Sequence, residues 1–177
     1  MEIRAKCKFD FESVRALTHL AMFKKGNPKK RMLFLNIWII VLLFVIILEI
    51  IIFGMDLPLV LFAIGSAVLL LWNAYMWFIF PKVRYNALAK LKDVENEYIF
   101  YDNILKISSQ NKGYNAEEEI EYSLLVKVYE TTQHLFLYRT NDQVFVVDKS
   151  TIEGGTVEEI RNKLSAFVKN KYIICKY

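Results

Sequence analysis

Four carboxylates crowd one short stretch, Glu117, Glu118, Glu119 and Glu121. Two uses fit such a cluster: a solvated sheet edge that resists strand addition, or a docking surface for a basic partner. The basic counterpart lies elsewhere. Lys24, Lys25, Lys29, Lys30 and Arg31 precede a long apolar run, and Lys82, Arg84, Lys90 and Lys92 follow it. Of these, Lys24, Lys25, Lys29, Lys30, Arg31, Lys82 and Arg84 are candidate contacts for anionic lipid headgroups, which take charge-assisted hydrogen bonds from clustered Lys and Arg. The residues of catalysis are scattered by comparison. His19 and His134 sit in different segments with no Cys, Asp or Glu at ligand spacing, so no metal site is expected. No Gly-rich phosphate loop, G-x-S-x-G elbow or Cys-x-x-Cys occurs. The reading is non-enzymatic, with no cofactor and no small-molecule substrate. Cys7 and Cys175 are far apart in sequence and are expected to be free thiols.

What must position these residues is dominated by the apolar run from Met32 to Phe80, broken at Gly54-Met55-Asp56. Leu33 to Phe53 and Leu57 to Phe80 each match the roughly 20 residues that cross a hydrocarbon core of about 30 Å. They read as a transmembrane hairpin, with no cleavable signal peptide apparent. Charge sets its orientation. Residues 1–31 carry nine Lys or Arg against three Asp or Glu, the hairpin carries only Glu49 and Asp56, and residues 81–177 carry fourteen of each sign. The basic excess therefore flanks the membrane, which argues against a nucleic-acid partner and places both termini on the cytoplasmic side. Trp38, Trp72, Tyr75 and Trp77 near the inner ends agree. Cys7 and Cys175 are then expected to resist an impermeant thiol reagent, while Met55→Cys reacts. Inside the membrane, Glu49 is close enough to the outer interface to snorkel, Asn73 can bond a neighbouring helix, and Ala63, Gly65, Ser66 and Ala67 form a small-residue patch for hairpin packing or a dimer.

Three regions follow: residues 1–31, a strand and an amphipathic helix with the basic cluster; 32–80, the hairpin; and 81–177, a cytoplasmic domain. Ile3, Ala5, Cys7 and Phe9 alternate with basic residues as a half-buried strand that needs a sheet to join, and the only candidate is in the C-terminal domain. Asp10 caps a helix with Phe11, Val14, Leu17, Leu20 and Ala21 on one face, for packing on the domain or lying in the bilayer interface. Gly26-Asn27-Pro28 turns into the first span, and Pro81 ends the second. Beyond it, Val83 to Leu91 reads as a short amphipathic helix or a continuation of the span. Short strands come next at Tyr98–Tyr101, Ile104–Ser108, Ile120–Tyr122, Val126–Thr131, Leu135–Arg139 and Val144–Lys149, with a turn at Gln110-Asn111-Lys112-Gly113 and a hairpin at Asn141-Asp142. Leu135, Leu137, Val144 and Val146 are expected to share a face. After Gly154-Gly155, Thr156 and Glu159 form a capping box for a helix striped by Val157, Ile160, Leu164, Phe167 and Val168. The fold class is an α+β membrane protein: a transmembrane helical hairpin plus a small antiparallel β-meander or partial barrel capped by a C-terminal helix.

The basic N-terminal strand, the tight hairpin, and the run Glu119-Ile120-Glu121-Tyr122 through Val126-Lys127-Val128-Tyr129-Glu130-Thr131, Leu135 to Tyr138 and Val144 to Lys149 together resemble the YcxB-like family of small bacterial membrane proteins. The resemblance covers nearly the whole chain. It implies a pleckstrin-homology-like domain on the cytoplasmic face, and no established reaction or functional residues come with it. Three function classes stand. The first is a binding or scaffold module that recognises a protein, a peptide or another copy in the groove between its last helix and a sheet edge. The second is an anionic-lipid sensor on the inner membrane face. The third is an accessory subunit of a membrane enzyme or transporter.

Overall fold

A computed structural model describes residues 2–22, 28–54, 56–88, 92, 94–111 and 114–175, with side chains at 28, 29 and 114 left out. The first strand, β1 (Ile3–Lys8), buries Ile3, Ala5 and Cys7 and exposes the residues between, as its alternation requires. Its partner is distant in sequence. β2 (Glu95–Phe100) runs antiparallel to it, with Ile3 opposite Phe100 and Lys8 opposite Glu95. The Phe9 amide also donates to the Val94 carbonyl at 2.8 Å. The chain therefore leaves and re-enters at adjacent points, and everything between is an insertion into one β-hairpin.

β3 (Ile104–Asn111) and β4 (Tyr114–Glu121) complete a four-stranded antiparallel sheet in the order β1-β2-β3-β4. Gln110 and Asn111 of the expected turn belong to β3, and Lys112 and Gly113 lie outside the described residues. A second sheet holds β5 (Lys127–Glu130), β6 (His134–Tyr138) and β7 (Val144–Asp148), all antiparallel neighbours. It also holds a strand that the sequence reading missed. β8 (Tyr172–Ile174) adds to β5 in parallel, so this sheet is mixed, in the order β7-β6-β5-β8. Three residues are too few to show a period, and a C-terminal strand with no hairpin has no turn signal.

Between the sheets lies one core: Tyr98, Phe100 and Leu105 from the first, Val128, Leu135, Leu137 and Val147 from the second, and Ile160, Leu164 and Val168 from α5 (Val157–Val168). Thr156 caps α5 as expected, its hydroxyl accepting from the Glu159 amide while the Glu159 carboxylate accepts from the Thr156 amide. One face assignment was off by a residue. Val147 is opposite Leu135 and Phe145 opposite Leu137, so Val144 and Val146 face away from the core with Tyr138 and Phe136. The sheet is apolar on both faces, and alternation cannot set register where neither face is polar.

α1 (Phe11–Met22) covers that second face. Asp10 and Ser13 cap it reciprocally, and Leu20, with Ala16 and Leu17, packs on Tyr129, Phe136, Tyr138 and Cys175. Of the two placements open to this helix, packing on the domain is the observed one.

α2 (Pro28–Phe53) and α3 (Leu57–Ala74) form a hairpin of two helices long and apolar enough to cross a membrane, each almost bare of protein contact along its flanks. Pro28 begins α2, so Lys30 and Arg31 ride on the helix rather than before it. Gly54, at φ 93°, accepts the left-handed conformation that ends α2, and Pro58 starts α3. Among the described residues Ile46 and Ser66 are the buried ones of the two helices; Gly65 and Ala67 are exposed and a Cβ at Gly65 would meet open space, so of the small-residue patch only Ser66 is buried. Asn73 turns back on its own helix, donating to the Leu69 carbonyl at 2.8 Å, and does not reach a neighbouring helix.

Pro81 does not end the second apolar helix. A π turn, Tyr75–Ile79, widens the helix just before it, with the Phe80 amide donating to the Tyr75 carbonyl. α4 (Phe80–Ala87) then continues. The wider turn restarts the hydrogen-bond frame, so Pro81 falls in the first turn of a new α segment, where its missing N–H costs nothing.

Candidate functional site

The most unusual side chain is Glu130, a carboxylate 2% exposed at the end of β5. It survives there because three elements bring donors to it. Arg161 of α5 reaches it with Nε at 2.9 Å and Nη2 at 2.7 Å. Lys149, just past β7, donates at 3.0 Å, and the Tyr172 hydroxyl of β8 donates at 2.6 Å. Burial alone pushes the Glu130 carboxyl up, but the hydrogen bonds from Arg161, Tyr172 and Lys149 outweigh it and hold the group at about 2. The Tyr172 phenol is raised by burial and by the adjacent carboxylate. Glu130 thus ties β5, α5, β8 and the end of β7 into one knot. Sequence reasoning missed it, since a lone Glu in a strand looks like an exposed position; the signal was its place next to Val128 and Tyr129, which point to opposite faces and are both buried.

Lys149 also lines an open cleft of about 930 Å³, where the end of β1, the start of α1, the start of β6 and the end of β7 meet. Lys6, Lys8, Asp10, His134, Asp148 and Thr151 contribute to its walls. Its charged groups are largely committed. Asp148 accepts from the Ser150 amide and hydroxyl, Asp10 from the Ser13 amide, and Lys149 bonds Glu130. Burial lowers the His134 pKa, partly offset by Asp148, Asp10 and Glu12. Cys7, which also lines the cleft, is pushed up to about 12 by burial first and then by Asp148 and Asp10, which favours the thiol over the thiolate.

The acidic cluster lies along the second half of β4, ending on its last residue, rather than at a strand entrance, and the pleat divides it. Glu117, Glu119 and Glu121 share the exposed face, where Lys106 of β3 bonds Glu117 at 2.8 Å. Glu118 is on the opposite face, paired with Arg139 of the β6–β7 loop. β4 has a neighbour on one side only, so these carboxylates stand on an edge strand. The basic candidates are less fully placed. Lys24 and Lys25 fall outside the described residues, and of Lys29 only the helical backbone is described. Lys30 and Arg31 are exposed on the first turns of α2, Lys82 is exposed on α4, and Arg84 is half-buried there.

Around the start of α4, aromatic contacts join the domain to the apolar helices. His19 of α1 stacks on Trp77 of the π turn, centroids 4.1 Å apart and nearly parallel. Phe9 and Phe11 both meet Tyr85 of α4. On the domain, Lys127 lies over the Tyr138 ring at 4.6 Å, beside Tyr129. α1 is therefore wedged between the second sheet and the helix that emerges from the hairpin.

Comparison of the chain with family models, characterised proteins and solved structures finds no match to any of them.

Proposed function

We propose that this chain is a membrane-anchored, non-enzymatic binding module of pleckstrin-homology-like, YcxB-like architecture. In this reading α2 and α3 cross a bacterial plasma membrane, both termini and the domain lie on its cytoplasmic side, and the domain binds a protein partner or another copy of itself. The observation that carries it is the order of elements around one core. A four-stranded sheet is followed by three consecutive antiparallel strands and a helix, and a hairpin of membrane length interrupts the first β-hairpin. Superfolds host many functions, so the role must come from surfaces. Two surfaces support binding: the carboxylate face of β4, and the edge of β5, along which the three-residue β8 lies in parallel.

The test is quantitative purification of the full chain from its own membranes in mild detergent, beside a Glu117→Lys, Glu119→Lys, Glu121→Lys variant. A stoichiometric partner, or an oligomer of the chain, is expected from the wild type. A partner lost on charge reversal assigns it to β4, and one retained assigns it to another surface. Recovery of a monomer alone from both would overturn the binding-module reading.

A further inference from the structure

β8 differs from every other strand in how it is attached. It has three residues, lies at a sheet edge, and follows a reversal at Lys169, where φ is 49° and ψ is −124°. That is the first-corner geometry of a type II′ turn, a place for glycine that a lysine side chain resists. Everything that holds the strand lies beyond this corner. Tyr172 donates to the Glu130 carboxylate at 2.6 Å, and the Cys175 amide donates to the Glu130 carbonyl at 2.7 Å. Ile173 and Cys175 join the apolar cluster of Tyr129 and Leu20, while Ile174 remains 53% exposed. None of these contacts depends on which chain supplies the strand. The Lys169 corner alone does, because only a strand returning to its own β5 has to make it. The closed monomer thus carries a backbone cost that an exchanged pair need not, which is the condition that favours strand swapping at short hinges.

We propose that β8 is an exchangeable strand, and that two copies of this chain associate by each laying its residues 172–175 along the β5 edge of the other. The inference rests on the binding-module reading and specifies its occupant, a second copy. Isologous exchange closes on itself, so association stops at the pair. Anchoring in one bilayer holds both domains in one layer with the same orientation, raising their effective concentration for exchange. Tyr172 is the recognition element, since any strand without a donor at that position leaves one of the bonds to the buried Glu130 carboxylate unmade.

Photo-crosslinking in membranes tests this. A full-length copy carrying a benzophenone side chain in place of Ile174 is co-expressed with a full-length copy bearing a different tag. Irradiation is expected to give an adduct between the two tags that maps to residues 127–130. Lys169→Gly relieves the corner in the closed form and is expected to lower the intermolecular adduct at least about fivefold. Lys169→Pro, whose φ near −65° forbids the corner, is expected to raise it. Adducts confined to single chains at every expression level, or intermolecular adducts mapping away from β5, would overturn the proposal, as would a yield indifferent to Lys169→Gly. Such a failure leaves any partner recovered by purification in place, so it separates exchange from binding in general.

Discussion

Glu130 shows how a charge can be kept in a core. A carboxylate taken out of water is costly, and an incomplete set of donors would not compensate it. Here Arg161, Lys149 and Tyr172 supply four hydrogen bonds from three parts of the chain. Glu130→Gln removes the charge and leaves Arg161 and Lys149 facing a neutral amide. The expected loss is about 3–5 kcal/mol by chemical unfolding, the scale for breaking a buried pair. The pH dependence has a definite sign. The folded carboxyl is held at about 2, below the 4.5 of an unperturbed glutamate, so its contribution is complete above the unfolded value and disappears as pH falls from about 5 towards 2. The stability gap between wild type and Glu130→Gln should therefore narrow across that window and stay constant from pH 6 to 8. A gap that widened on acidification would refute this account of the network.

At the scale of elements, α1 covers an apolar sheet face that would otherwise be open to water. Leu20 is 1% exposed against Tyr129, Phe136 and Tyr138, and truncating it should leave a cavity the sheet cannot collapse to fill. Leu20→Ala is expected to cost about 2–5 kcal/mol. Thr156→Ala removes one half of the α5 capping box and is expected to cost about 1 kcal/mol. The two sites share no contacts, so the double variant should show the sum of the single losses in denaturant midpoints at unchanged slope. Marked non-additivity would mean that α1 and α5 are coupled through the sheet between them. Gly155 belongs to the same scale. A Cβ there would stand 2.6 Å from Ile3 Cγ1, so this position admits the close approach of β1 and no side chain.

For the whole molecule, the pairing of Lys8 with Glu95 makes the apolar hairpin an insertion rather than a foundation. Replacing residues 23–93 with about twelve Gly and Ser residues spans the roughly 18 Å length of α1 and retains that helix on its sheet. The product is expected to be soluble, with cooperative unfolding and the same strand content by circular dichroism. An aggregated or unfolded product would show that the domain needs the hairpin to fold. Orientation calls for a different cysteine test from the one the sequence invites. Cys7 and Cys175 are both buried, so they resist reagents on either side of a membrane, and Met55 is outside the described residues. Exposed positions decide the matter. In intact cells Asp56→Cys should label with an impermeant maleimide, while Glu119→Cys should label only after permeabilisation.

The two long helices were legible without any structure, because length and hydrocarbon content alone determine whether a segment suits a bilayer. The α5 capping box was equally legible, since Thr156 and Glu159 act within one turn. So was β1, whose strict alternation announces one buried face and demands a sheet. What only the tertiary structure decided depends on groups brought together from far along the chain. Alternation could not tell which face of β7 was inward, because α1 covers the other face and both are apolar. Pro81 reads as a helix end by local rule, yet the π turn before it lets the helix continue. Glu130 looks like an ordinary surface carboxylate until Arg161, Lys149 and Tyr172 converge on it, and β8 is a strand only because β5 offers it an edge. Local sequence specifies what each segment can become; burial, register and charge pairing are properties of contacts between segments, and exist only once the chain has closed on itself.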